Sequence, residues 1–241
     1  MTTAHFIMQG KGGVGKSLVS SILMQYLIKQ GLEVSGCDTD PVNSSLARYE
    51  ALNVKVIDIM DDADIDPGRF DELIHHIASG HLEAHMVVDI GASCFVAMGN
   101  YLKKYDAFSV LQDQGHSAYI HTIIVGGANM VDTLGNMQSL AHHFSVPIIV
   151  WLNPFFGPVK DGNDAFEDFK VHQDVAESLH GVIRMPEFSG ILFARDFDEM
   201  QSNHRTFEES VVHPRVFLMS RQRLFMIWRN YRQAIDQVSL F

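Results

Sequence analysis

Apolar residues in this chain follow two alternating rhythms. Short apolar runs, several without interleaved polar positions, predict strands covered on both faces. They are His5–Gln9, Glu33–Cys37, Lys55–Met60, His85–Ile90, Ala107–Leu111, Tyr119–Val125, Pro147–Leu152 and Gly181–Met185. Between most of them, apolar positions recur every three or four residues. That spacing predicts helices over Lys16–Lys29, Phe70–Ala78, Asn129–Phe144 and Phe166–Leu179, with a last long helix over Arg215–Val238. Strands alternating with helices imply right-handed crossovers and a parallel sheet. The expected fold is α/β: a three-layer, mostly parallel, twisted sheet flanked by helices, in one domain spanning residues 1–241. Ligands of such sheets bind at the C-terminal ends of the strands.

Composition narrows this picture. With 241 residues, 46% of them hydrophobic, the chain can bury one large core. Its net charge of -11 disfavours general binding of nucleic acid, which needs clustered cations. The charge is uneven: five Arg and one Asp lie between His213 and Phe241. In that stretch Leu224, Trp228, Tyr231, Ile235 and Val238 share one helical face. This basic amphipathic helix is expected to cover the sheet as the last element of the fold. Its arginines leave a peripheral membrane contact open. Cys37 and Cys94 form no metal or redox motif and read as reduced thiols of a cytosolic protein. No secretory segment or membrane span is expected.

The candidate chemistry begins after the first strand. Gly10, Gly15, Lys16 and Ser17 fit the phosphate-loop pattern G-x-x-x-x-G-K-[ST], between a strand and a helix. The glycines let the backbone wrap a phosphate, and the N–H groups from Gly10 through Gly12, Gly13, Val14 and Gly15 to Leu18 make an anion nest. Lys16 is placed to reach the β- and γ-phosphates and Ser17 to ligate Mg²⁺. Two acidic positions end later strands. Asp38 and Asp40 stand in DTDPVN, and Asp89 ends the apolar run HMVVDIG. Asp89 is the expected metal carboxylate, with Asp38 supporting the metal's water shell and Asp40 orienting the attacking water.

Together KGGVGKS, DTDP and VVDIG resemble the ParA/MinD family of P-loop ATPases with a deviant Walker A loop. The resemblance implies Mg-ATP binding, slow hydrolysis to ADP and phosphate, and an ATP-dependent homodimer. It implies that Lys11 reaches the partner subunit's nucleotide and that Asp40 positions water. It also puts Asn153 against adenine, with Met185 and Pro186 as a further base-side segment. Further blocks, among them ALNVKVIDIM, GHSAYIHTIIVGG and IVWLNPFFGP, are similar to a family of conjugal-transfer proteins of broad-host-range plasmids. That similarity implies a role in plasmid transfer, in a bacterial cytoplasm, with a plasmid-encoded protein partner. A partition ATPase and a nucleotide-binding scaffold without appreciable hydrolysis are the alternatives. The sequence departs from partition proteins in showing no DNA-binding domain before His5, and its acidic charge makes direct DNA binding not expected.

Other polar clusters weigh less. His75, His76, His81 and His85 do not share a face and are not expected to hold a metal. His142 and His143 read as surface residues near a helix end. Gln112, Gln114 and His116 are expected at a strand end on the ligand edge, where they could meet nucleotide, a partner or solvent.

Overall fold

The computed structural model describes residues 2–40, 43–61, 64–80 and 84–240. Its strands are β1 (Thr3–Ile7), β2 (Glu33–Asp38), β3 (Val54–Val56), β4 (Met60–Asp61), β5 (Asp64–Ile65), β6 (Ala84–Asp89), β7 (Ser117–Val125), β8 (Ile148–Asn153), β9 (Lys160–Asp161), β10 (Asp164–Ala165) and β11 (Leu179–Arg184). The helices are α1 (Lys16–Lys29), α2 (Phe70–Ala78), α3 (Phe95–Lys104), α4 (Ala107–Asp113), α5 (Met130–His143), α6 (Lys170–Val175), α7 (Ile191–Ser202), α8 (Phe207–Val212) and α9 (Leu218–Asp236). Seven strands form one parallel sheet in the order β11-β8-β7-β1-β6-β2-β3, and the other four form two small hairpins.

Strand parity divides the core. Phe6 and Met8 pack on one face with residues of α2 to α5, while Ile7 packs on the other with α1, α8 and α9. That is the expected three-layer arrangement, and it explains why the central strands read as unbroken apolar runs. The apolar stripe of α9, including Leu224, Trp228, Tyr231 and Ile235, is buried under the sheet. Membrane contact through that stripe would require the helix to leave the core. Among the described residues no helix is long and apolar enough to cross a membrane.

One polar line crosses the α1 face. Trp151 Nε1 donates to His121 Nδ1 at 3.0 Å, His121 Nε2 lies 2.9 Å from His5 Nδ1, and His5 Nε2 lies 3.0 Å from His85 Nδ1. An indole N–H only donates, so the tautomers follow in sequence. Each imidazole is neutral, carries its proton on Nε2 and accepts at Nδ1. Burial holds His5 and His85 below the usual imidazole range and pushes His121 down to about 3.

Several expected elements differ. Ala107–Leu111 is not a strand but most of α4, with Ala107, Phe108 and Leu111 buried at helical spacing. A short apolar run does not distinguish the two by period. Lys55–Met60 divides between β3 and the start of the β4–β5 hairpin. Phe166–Leu179 contains only one α-helical turn and a half, α6, between 3₁₀ turns. The helices α3, α7 and α8 follow from none of the sequence patterns above. Gln112 lies in α4 and His116 precedes β7, so this segment is at the N-terminal edge of the sheet, opposite the phosphate loop. His85 belongs to the buried imidazole line, His75 and His76 lie on α2, and His81 lies outside the described residues. Among the described residues no group of three or more His, Cys, Asp or Glu side chains is arranged to hold a metal ion.

Candidate functional site

The loop between β1 and α1 takes the expected shape. Gly13 and Gly15 have φ of 74° and 101°, in the left-handed region that disfavours side chains. At Gly15 a Cβ would also meet Asn153 Nδ2 at 3.2 Å. That contact reflects how β8 supports the loop: Asn153 Nδ2 donates to Val14 O at 2.9 Å, and Asn153 Oδ1 accepts from Phe155 N at 3.1 Å. Asn153 therefore braces the loop from behind, and it also lines a cavity of about 410 Å³ beside Gly15 and Leu18. Pro186, Phe193 and Phe197 form other walls of that cavity, which is apolar enough to take a nucleobase. Behind α7, Asp196 is clasped by Arg223 of α9 through Oδ2 at 2.5 Å, which fixes the wall carrying Phe193 and Phe197.

Lys16 is buried at the first position of α1, and its Nζ donates to Lys11 O at 3.3 Å. Burial lowers its pKa, while Asp89 and Asp40 oppose that shift. Asp89 ends β6 beneath the loop. Burial pushes its carboxyl up to about 7; the Ser17 hydroxyl and Lys16 pull it down, and Asp38 pushes the same way as burial. Asp89 Oδ1 is buried and has no hydrogen-bond partner. An orphaned carboxylate oxygen beside a serine hydroxyl and a second acidic loop is a hard, all-oxygen donor set. Those residues fit Mg²⁺.

Asp38 is differently employed. Its Oδ1 accepts from Asp40 N at 3.0 Å, and its Oδ2 accepts from Leu46 N at 2.9 Å and Ala47 N at 3.1 Å. It therefore ties the start of DTDPVN to Leu46 and Ala47 and holds the backbone of Asp40. Pro41 and Val42 of that segment lie outside the described residues. Asp40 Oδ1 accepts from Asn43 N at 3.1 Å. Gly91 lets Asp40 come close: a Cβ there would stand 3.0 Å from both Cα and Cγ of Asp40. The structure thus brings Lys16, Ser17, Asp38, Asp40 and Asp89 to one strand edge.

Lys11 lies apart from that group. Its Nζ pairs with Asp132 Oδ2 at 2.9 Å, in the first turn of α5 of the same chain. Neither Asp132 nor the support residues Gln9 and Asn136 emerged from the sequence pattern. Gln9 directly precedes the loop, but a motif that starts at Gly10 gives it no weight.

The comparisons with known proteins agree with the fold. The CobQ/CobB/MinD/ParA nucleotide binding domain matches residues 5–207. Two Escherichia coli proteins called TraL are similar along the chain: one is 38% identical over 229 residues, 94% of each chain, and the other 34% identical over 242 residues, all of both. Among solved structures, the MinD cell division protein of Aquifex aeolicus superposes with a TM-score of 0.52 at 15% identity, covering 99% of both chains. The septum site-determining protein MinD of Pyrococcus horikoshii, solved with Mg-ADP, gives 0.52 at 14% identity over 98% of this chain and 97% of its own. The chain belongs to the CobQ/CobB/MinD/ParA nucleotide-binding domain family and is a relative of the TraL proteins.

Proposed function

We propose that this chain is a Mg-ATP-dependent switch ATPase of low turnover that serves conjugative plasmid transfer. The carrying observation is Asp89 Oδ1, buried and unpartnered beneath the phosphate loop. A buried oxygen of this kind is satisfied by a proton or by a cation, and beside the phosphate loop a cation bound with the nucleotide suits it. The TraL relatives support the transfer role, and the MinD protein solved with Mg-ADP supports the nucleotide and metal class.

The proposed chemistry is in-line attack of water on the γ-phosphate. The loop from Gly10 to Leu18 binds the phosphates through backbone N–H groups, and Lys16 leaves Lys11 O to neutralise them. Ser17 and Asp89 would hold Mg²⁺, with Asp38 in its outer surroundings; the bound metal would supply charge neutralisation for the phosphates. Asp40 orients the water. The base occupies the cavity between Asn153 and Pro186. Lys11 completes the site of a second copy, so that ATP favours the dimer and hydrolysis releases it to a plasmid-encoded partner in the bacterial cytoplasm.

Steady-state phosphate release tests the enzyme, and mating frequency tests the role. Asp40→Ala is expected to keep Mg-ATP affinity and lose at least tenfold in turnover. Lys16→Ala is expected not to restore transfer in a strain lacking the protein. Wild-type phosphate release no faster than that of Asp40→Ala would overturn the catalytic reading.

A further inference from the structure

Gln9 is wholly buried at the end of β1, one residue before the phosphate loop. Its amide touches three segments. Nε2 donates to Ile123 O at 2.9 Å, Thr122 Oγ1 at 3.3 Å and Thr133 O at 3.4 Å. Oε1 accepts from Lys11 N at 3.3 Å and from Asn136 Nδ2. Asn136 lies on α5, one turn beyond Asp132. It passes so close over Gly10 that a Cβ there would meet Asn136 Nδ2 at 3.1 Å and the Phe95 ring at 2.8 Å.

Lys11 is therefore held at three points. Gln9 holds its N–H, Lys16 Nζ holds its carbonyl, and Asp132 holds its ammonium. The three ties differ in what breaks them. A phosphate that takes the Lys16 ammonium frees the carbonyl. A competing anion takes the Lys11 side chain from Asp132. Neither event competes for the buried amide of Gln9.

We propose that Gln9 and Asn136 form the fixed pivot on which Lys11 turns. They are positioning residues: they set where Lys11 points once phosphate has released its carbonyl. The carbonyls of Ile123 and Thr133 fix the sense of the Gln9 amide, because they only accept and so demand Nε2, which turns Oε1 to Asn136 Nδ2. That leaves the same oxygen for Lys11 N. This inference rests on Lys11 acting in a second copy of the chain.

The test compares Asn136→Ala and Asn136→Asp with Lys11→Ala. Asn136→Asp keeps the shape but calls Nε2 of Gln9 towards it, so that two N–H groups oppose each other at Lys11. Thermal stability, Mg-ADP affinity and the ATP-dependent dimer constant are measured, the last by analytical ultracentrifugation. Both Asn136 variants are expected to keep Mg-ADP affinity within about twofold and to weaken the ATP dimer about tenfold. Adding Lys11→Ala to either is expected to cost little more than Lys11→Ala alone. An ATP dimer of wild-type strength in Asn136→Asp, while Lys11→Ala loses it, overturns the pivot and leaves the role of Lys11 intact. A wild-type ATP dimer in Lys11→Ala overturns the trans role and the pivot with it.

Discussion

Lys11 and Asp132, 121 positions apart, meet through an Nζ–Oδ2 contact of 2.9 Å within one chain. The pair is exposed, at 37% for Lys11 and 58% for Asp132. Exposed ion pairs contribute about 0.2–1 kcal/mol. Breaking it is thus a small obstacle, and with one pair in each of two chains Asp132→Ala is expected to tighten the ATP dimer by no more than about thirtyfold. The gain should shrink with added salt. Weaker dimerisation of Asp132→Ala in ultracentrifugation would mean that the cis pair assists the dimer instead of competing with it.

Gly91 controls the approach of Asp40. A side chain there must displace the Asp40 backbone, since its Cβ would stand 3.0 Å from Cα. Gly91→Ala is expected to reduce turnover by about tenfold or more, because small misplacements of a water-orienting group are costly. Mg-ADP affinity should hold within about twofold. Single-turnover phosphate release, measured beside equilibrium binding, separates the two.

Asp89 makes metal binding pH-dependent. Its carboxyl is raised to about 7 in the ligand-free protein. Between the unfolded value of about 3.9 and 7, the folded state therefore binds more protons, and this residue's contribution to stability is full at low pH and lost as pH rises through 7. Metal must displace that proton. Affinity for Mg-ADP is expected to fall towards tenfold per unit as pH drops below 7, whereas metal-free ADP lacks that component. Titrations from pH 5.5 to 8, with and without EDTA, compare the slopes; equal slopes would dissociate Asp89 from the metal.

The imidazole line has the opposite sign. His121, pushed down to about 3, stays neutral in the fold while its unfolded form protonates near 6.5. Its contribution to stability is complete above 6.5 and declines as pH falls towards 3. Besides its own members, the titratable group acting on it is His180 of β11. Protonating any of the three rings would set two N–H groups face to face. Long-range ¹H–¹⁵N spectra are expected to show the Nε2–H tautomer for His5, His85 and His121 at pH 7. Trp151→Phe removes the terminal donor and should cost about 1–3 kcal/mol by leaving His121 Nδ1 unpaired. An Nδ1–H tautomer at any of the three positions in the wild type would contradict the assigned direction.

Some of this was legible in the chain. The bounds of α1 and α2 follow from apolar spacing between clear interruptions. The loop glycines, Lys16, Ser17 and the strand-ending carboxylates announce themselves because parallel sheets gather chemistry at one edge. The imidazole line was not legible: His5, His85 and His121 come together only through the order of β6, β1 and β7. Nor was Asp132, an ordinary acid in the first turn of a helix, which gains meaning from the lysine beside it. Ala107–Leu111 misled because five residues of mixed apolar character fit both periods. The backbone N–H groups that engage both oxygens of Asp38 come from Asp40, Leu46 and Ala47, a loop closure that spacing alone does not announce.

The place of β1 has a consequence for how the protein is made. Thr3 pairs with His85 on one side and Ser117 on the other. Once made, β1 therefore waits about 80 residues for its first neighbour, β6, and more than 110 for its second, β7. At roughly 5–20 residues per second that is a wait of several seconds, longer for the exit tunnel. During it an apolar strand and a glycine-rich loop are without their sheet. The phosphate loop is synthesised well before its supports Asn136 and Asn153. A nascent chain stalled before β7 should accordingly bind chaperones and no nucleotide.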